Sequence, residues 1–169
     1  MYQKGEYVIY GQNGICKIVD ITNPGFPGVD RKIKFYMLEP IGKAKSRIYS
    51  RVDSDKVAIR KVMTKENIED LIQEIPDISE LWIDNEKNRE NNYKEAMRTC
   101  SPKEWVRIIK TLYERGQERE EQGKKITATD EKYLRMAEDN LYSEMAFVLG
   151  MEESQMQEYI ADKIGNRTD

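Results

Sequence analysis

The residues of this chain that could do chemistry are cations, and their spacing suits gripping anions rather than making bonds. In Lys43-Ala44-Lys45-Ser46-Arg47-Ile48-Tyr49-Ser50-Arg51 a basic or aromatic residue recurs at every second position. On a strand, Lys45, Arg47, Tyr49 and Arg51 share one face. An edge strand decorated in this way pairs with a partner's strand through its main chain and holds acidic neighbours through its guanidinium groups. The plainer alternative is a set of solubilising charges that protects an edge. Arg47, Ile48, Tyr49 and Arg51 are the binding candidates in this half of the chain. Further along, Lys87, Arg89 and Lys94 surround Asn91, Asn92 and Tyr93, Arg107 and Lys110 share a helical face, and Lys124-Lys125 stand together. Such side chains reach phosphates and base edges, or else pair with nearby glutamates on a solvated surface.

Catalytic groups are scarce. The sequence contains no histidine, which removes the commonest general base and the commonest metal ligand together. Gly11-Gln12-Asn13-Gly14 lacks the further glycine, lysine and helix start of a phosphate loop. Glu118-Arg119-Glu120-Glu121 and Glu152-Glu153 lie in charged surroundings, without the burial that tunes a catalytic carboxylate. Cys16 and Cys100 fall in different halves and give neither a disulfide framework nor a zinc spacing, so both are expected as reduced thiols. The expectation is a protein that is not an enzyme, with no metal, no cofactor and no small-molecule substrate. No apolar run approaches the ~20 residues of a membrane span. The opening Met1-Tyr2-Gln3-Lys4-Gly5-Glu6 lacks the apolar core of a signal peptide. A cytoplasmic protein without a membrane partner is expected.

Two kinds of element must position these cations. Residues 6–10, 15–22, 32–39, 45–50 and 56–60 read as five short strands. Gly11, Asn13 and Gly14 turn the first hairpin, and a loop rich in proline and glycine follows over Asn23–Asp30, with Phe26 at its tip. So few residues bury one face only by curling, which predicts a small SH3- or Tudor-like β-barrel over residues 1–62. From Met63 to Asp169 the pattern is helical. Thr64 caps a run with Ile68, Leu71, Ile72 and Ile75 at helical spacing, and Ser79 opens a second helix carrying Leu81, Trp82 and Ile83. Ser101-Pro102-Lys103-Glu104 reads as a capping box for a helix that stops at Gly123. Thr127 starts the last long helix, Gly150 ends it, and a short helix precedes a frayed end over Gly165–Asp169. The fold class is α+β, a β-barrel followed by an all-helical domain. Charge divides along the same line: residues 1–62 carry 12 Lys/Arg against 6 Asp/Glu, a net of +6, and residues 63–169 carry 16 against 25, a net of −9. Two surfaces facing different partners follow from that split.

The chain resembles the CarD/CdnL family of bacterial transcription regulators. Gly5-Glu6-Tyr7-Val8-Ile9-Tyr10 through Gly14-Ile15-Cys16-Lys17-Ile18 is similar to the family's polymerase-interacting domain, which also occurs in the transcription-repair coupling factor. Asn92-Tyr93-Lys94-Glu95, Arg107-Ile108-Ile109-Lys110-Thr111-Leu112 and Lys124–Leu134 are similar to its C-terminal domain. The resemblance implies a Tudor-like domain docked on the RNA polymerase β subunit, and a helical domain at promoter DNA that influences open-complex lifetime. It thereby implies a nucleoid association through the polymerase. Carried over by position, the DNA candidates are Arg89, Lys94 and Lys132. Lys94 matches the family's Tyr-Lys pair. Family members place a wedging tryptophan four residues before that pair, where this chain has Arg89; Trp82 stands seven residues earlier still. Arginine suits a narrow minor groove but does not unstack bases as an aromatic wedge does. Tyr10-Gly11-Gln12-Asn13-Gly14 also replaces the Tyr-Pro-x-His-Gly turn of many members. The rival expectation is a protein-only adaptor on RNA polymerase or another protein, without DNA contact.

Overall fold

Continuous β-branched and aromatic runs make β1 (Tyr7–Tyr10) and β2 (Ile15–Thr22) an antiparallel hairpin, with Val8 opposite Cys16 and Ile9 opposite Ile15. One 3-10 turn, Gly11–Asn13, joins them. Glycine is needed at its first position on two counts: φ is +50°, and a Cβ would stand 2.6 Å from Val57 Cγ1. The computed structural model describes residues 1–167. In it the hairpin is joined by β3 (Phe35–Pro40), β4 (Ile48–Arg51) and β5 (Ile59–Lys61). All ladders are antiparallel, in the order β4-β3-β2-β1-β5.

The sheet is not closed into the barrel that the sequence suggests. Closure would pair β4 with β5, and these edge strands are only four and three residues long with no ladder between them. The link between them turns early, Ser54 N–H donating to the Arg51 carbonyl at 3.1 Å. The sheet nevertheless curls, because Ile48 of β4 and Ile59 of β5 both pack on one cluster of Val8, Tyr10, Cys16, Ile18, Tyr36 and Leu38. A register shift in β2 between Ile18 and Asp20 re-aims the strand's second half and returns Ile21 to the same cluster. Burial pushes the Cys16 thiol up to about 11, so it packs as a small apolar group rather than as a nucleophile.

The chain divides into compact units at Val62/Met63. The second unit holds α1 (Lys65–Glu74), α2 (Arg89–Arg98), α3 (Pro102–Glu121), α4 (Ala128–Leu149) and α5 (Met156–Arg167). Thr64 and Asn67 form a reciprocal capping box, and Thr127 Oγ1 accepts from Asp130 N–H. Gly150 closes α4 at φ +67°, in the left-handed position. Ser101 does precede a helix, but its side chain makes no cap bond; the reciprocal half of the box is missing too, since Ser101 N–H donates to Thr99 Oγ1 at 3.2 Å and the Glu104 carboxylate binds Arg107 at 2.9 Å. Ile68, Leu71 and Ile72 of α1, Tyr93 and Met97 of α2, Trp105, Ile108 and Leu112 of α3, and Tyr133, Leu141 and Met145 of α4 are buried together. Each such side chain contributes about 1.5–3 kcal/mol by leaving water. The buried Glu144 carboxylate accepts from Met63 N–H at 2.8 Å, which holds the entry to the unit.

Two further expectations fail in the helical unit. No helix starts at Ser79: residues 78–85 run as an irregular strap, because Pro76 and Asp77 end the preceding 3-10 turn and Arg107, Lys110 and Thr111 of α3 capture the strap's main chain. The end expected to fray stays helical through Arg167, while Thr168 and Asp169 lie outside the described residues. Among the described residues no helix is long and apolar enough to cross a membrane.

Candidate functional site

The first candidate surface is the open edge of β4. Two successive turns, Lys43 N–H to the Pro40 carbonyl and Ser46 N–H to the Lys43 carbonyl, deliver the chain into this strand. Arg47 braces them by donating to the Ala44 and Ser46 carbonyls at 3.1 and 3.2 Å while pairing with Glu39. Val52 N–H donates to the Lys34 carbonyl at 3.0 Å, so Lys34 and Val52 form a bonded pair. By antiparallel alternation Tyr36/Ser50 and Leu38/Ile48 are bonded pairs as well. Tyr49 and Arg51 fall between them, and their main-chain N–H groups therefore aim away from β3, at the free edge. The Tyr49 ring stands edge-on to Phe26 at 5.3 Å, and Phe26 stands edge-on to Phe35 at 5.6 Å. Arg51 forks onto both Asp53 oxygens at 2.9 Å, which holds that carboxyl below the usual carboxylate range. A concavity of about 440 Å³ beside the strand is lined by Phe35, Tyr49, Arg51 and Val57. Of the four residues singled out by sequence, Arg47, Tyr49 and Arg51 are exposed, whereas Ile48 turns its side chain to the core and offers only its backbone.

The second candidate surface surrounds a closed ring of polar contacts in the helical unit. Arg89 donates to both Glu86 oxygens at 2.9 and 3.0 Å and to the Tyr93 hydroxyl at 2.8 Å. Tyr93 donates to Asp130 Oδ1 at 3.0 Å, Arg115 donates to Asp130 Oδ2 at 2.8 Å, and Arg115 returns to Glu86 at 3.3 Å. The Arg89 hydrogen bonds hold the Glu86 carboxyl down at about 2, and burial pushes the Tyr93 phenol up to about 12. Tyr93 and Asp130 are buried, and only 16% of the Arg89 side chain is exposed. Its guanidinium is thus held within the fold, locking the start of α2 against α3 and α4. Outside the ring, α2 and α4 bring two lysines to one surface. Glu90 lies 3.7 Å from Lys94 and accepts from Tyr133 at 3.1 Å, while the Lys132 ammonium sits 5.3 Å from the Tyr133 ring centre. Lys94 and Lys132 are both exposed.

The strap supplies a residue that sequence reasoning placed on a helix. Lys110 Nζ donates to the Ile78 carbonyl at 2.7 Å, Arg107 donates to the Ser79 and Glu80 carbonyls, and Leu81 N–H donates to Thr111 Oγ1 at 2.9 Å. Arg107 and Lys110, candidates for phosphate on sequence grounds, are engaged with the strap. Four consecutive residues are pinned in this way, and the next, Trp82, is 82% exposed. A tryptophan held out on a fixed backbone is a preorganised apolar wedge or anchor. The usable signal was Pro76 followed by Asp84-Asn85, which leaves too few residues for a stable helix between them.

Residues 2–63 match a family model described as the CarD-like/TRCF RID domain, and residues 77–161 match one described as the CarD C-terminal domain. No curated protein matches the chain.

Proposed function

Since the chain belongs to the CarD-like family of transcription-related, RNA polymerase-interacting proteins, we propose that it binds the polymerase β subunit through β4 and acts on promoter DNA through its helical unit, without catalysing a reaction. The carrying observation is the free β4 edge. It offers outward main-chain N–H groups at Tyr49 and Arg51 beside exposed guanidinium groups, in a half of net charge +6. Strand addition there would use main-chain hydrogen bonds for affinity and Arg47 and Arg51 for acidic neighbours. An edge strand with such cations is also protected against self-pairing, which keeps it open for a chosen partner.

On the DNA side, Lys94 and Lys132 are the phosphate contacts, and Arg89 positions α2 beneath them. Trp82 takes the unstacking role for which Arg89 is chemically unsuited, since apolar wedges kink a base step whereas arginine only follows groove potential. The acidic helical half favours the second reading, a polymerase-bound adaptor that never touches DNA. A salt titration of promoter-complex affinity separates the two, with full-length chain and polymerase present. Contact with DNA makes affinity fall with salt, and lysine-to-alanine changes at 94 and 132 each reduce the slope by about 1. A slope untouched by both changes, with open-complex lifetime indifferent to Trp82→Ala, selects the adaptor.

A further inference from the structure

We propose that the groove between α3 and α4, beside their Gly123 turn, docks an acidic peptide segment of another protein that carries a large apolar anchor. The groove holds about 600 Å³ and is lined by Leu112, Gly116, Ile126 and Leu134, with Lys124 and Lys125 at its wall. Three independent features point to that occupant.

The first is Gly116. It lies inside the 20-residue α3, where glycine weakens a helix relative to alanine. Nothing in the fold calls for it: its φ is not positive, and a Cβ placed there would meet no atom within 4 Å. The bare helix surface lets a partner's side chain come close to the α3 backbone. The second is charge. Among the described residues Lys124 and Lys125 have no ion-pair partner, whereas Lys94 and Lys103 are paired with Glu90 and Glu74. Two unpaired lysines in a half of net charge −9 select carboxylates. Glu120 is the single carboxylate lining the groove, so its charged groups sum to +1. The third is the apolar lining itself. Nucleic acid would use the lysines and leave the half-buried Ile126 and Leu134 uncovered, while an anchored peptide covers both.

The test titrates isotope-labelled full-length chain with a synthetic amphipathic helix rich in Glu and Leu, and follows backbone amide signals. Controls are the same peptide with Lys for Glu, and a short duplex DNA. The expected result is saturable movement of the Gly116, Lys125 and Ile126 signals with the acidic peptide only. Gly116→Leu, which fills the groove, should weaken binding by about tenfold or more. The Lys124→Glu/Lys125→Glu pair should do the same and carries the test if Gly116→Leu disturbs the helix. No saturable movement, an equal response to the basic peptide, or stronger movement of these signals with DNA overturns the proposal. So do groove signals that change with protein concentration alone, which would assign the groove to a second copy of the chain.

Discussion

Replacing Tyr49 with proline tests strand addition without dismantling the sheet. The Tyr49 N–H points away from β3, so proline removes no ladder bond there, and edge strands tolerate proline when its nitrogen faces outward. The preceding Ile48 is already extended, the conformation that a following proline favours. The change does remove the ring contact with Phe26, a pair contributing about 0.5–1.5 kcal/mol, and Tyr49→Ala removes the same contact while keeping the N–H. The difference between these variants isolates the main-chain donor. A partner carbonyl left without its hydrogen bond in a buried junction costs about 1–3 kcal/mol, so Kd for core polymerase should rise roughly five- to 150-fold from alanine to proline. Titration calorimetry reads the affinity, and thermal melts followed by circular dichroism confirm that the two variants fold alike. Equal affinity of well-folded Tyr49→Ala and Tyr49→Pro would refute strand addition at this edge.

Four further outcomes follow from named contacts. Gly11→Ala places a methyl against Val57 at a positive φ and should destabilise the chain by about 1–3 kcal/mol in urea unfolding. Asp130→Ala leaves Arg115 and the buried Tyr93 hydroxyl without their shared acceptor; because Arg115 keeps Glu86, the loss should fall near the low end for a broken buried pair, about 3 kcal/mol. Glu86 is held at about 2 against an ordinary 4.5, so its stabilisation is complete above 4.5 and disappears as pH falls toward 2. With 66% of its side chain exposed, solvent screening limits this to under about 1 kcal/mol, and Glu86→Gln should flatten that limb of a stability–pH curve. Trp82→Ala should leave stability within about 0.5 kcal/mol of wild type and still change open-complex lifetime in a filter-retention assay.

The opening hairpin was legible because two β-branched and aromatic runs, Tyr7–Tyr10 and Ile15–Ile21, flank a glycine turn, and Thr64 and Thr127 were legible because a cap is a local signal. Where two local signals competed, the reading failed. Glu104 had a capping partner at Ser101 and an ion partner one turn on at Arg107, and the charge-assisted bond won. Barrel closure failed for a related reason, since curling was correctly required by the small core but closure also demands long edge strands. The polar ring was invisible, because Glu86, Arg115 and Asp130 meet only when three separate helical segments pack. Alternation predicts a strand over 45–50, but the strand is Ile48–Arg51: two successive turns precede it, so Lys45 and Arg47 do not share a strand face with Tyr49 and Arg51. That Ile48 points inward while the Tyr49 amide points out depends on the register with β3, which no single strand encodes.

Photo-cross-linking from position 49 tests the central claim most directly. With benzoylphenylalanine in place of Tyr49, full-length chain bound in an open promoter complex should cross-link to the polymerase β subunit, and free Tyr49-edge peptide competitors should suppress the product. Cross-links from position 49 to DNA or to a different polymerase subunit, with β unlabelled, would contradict it.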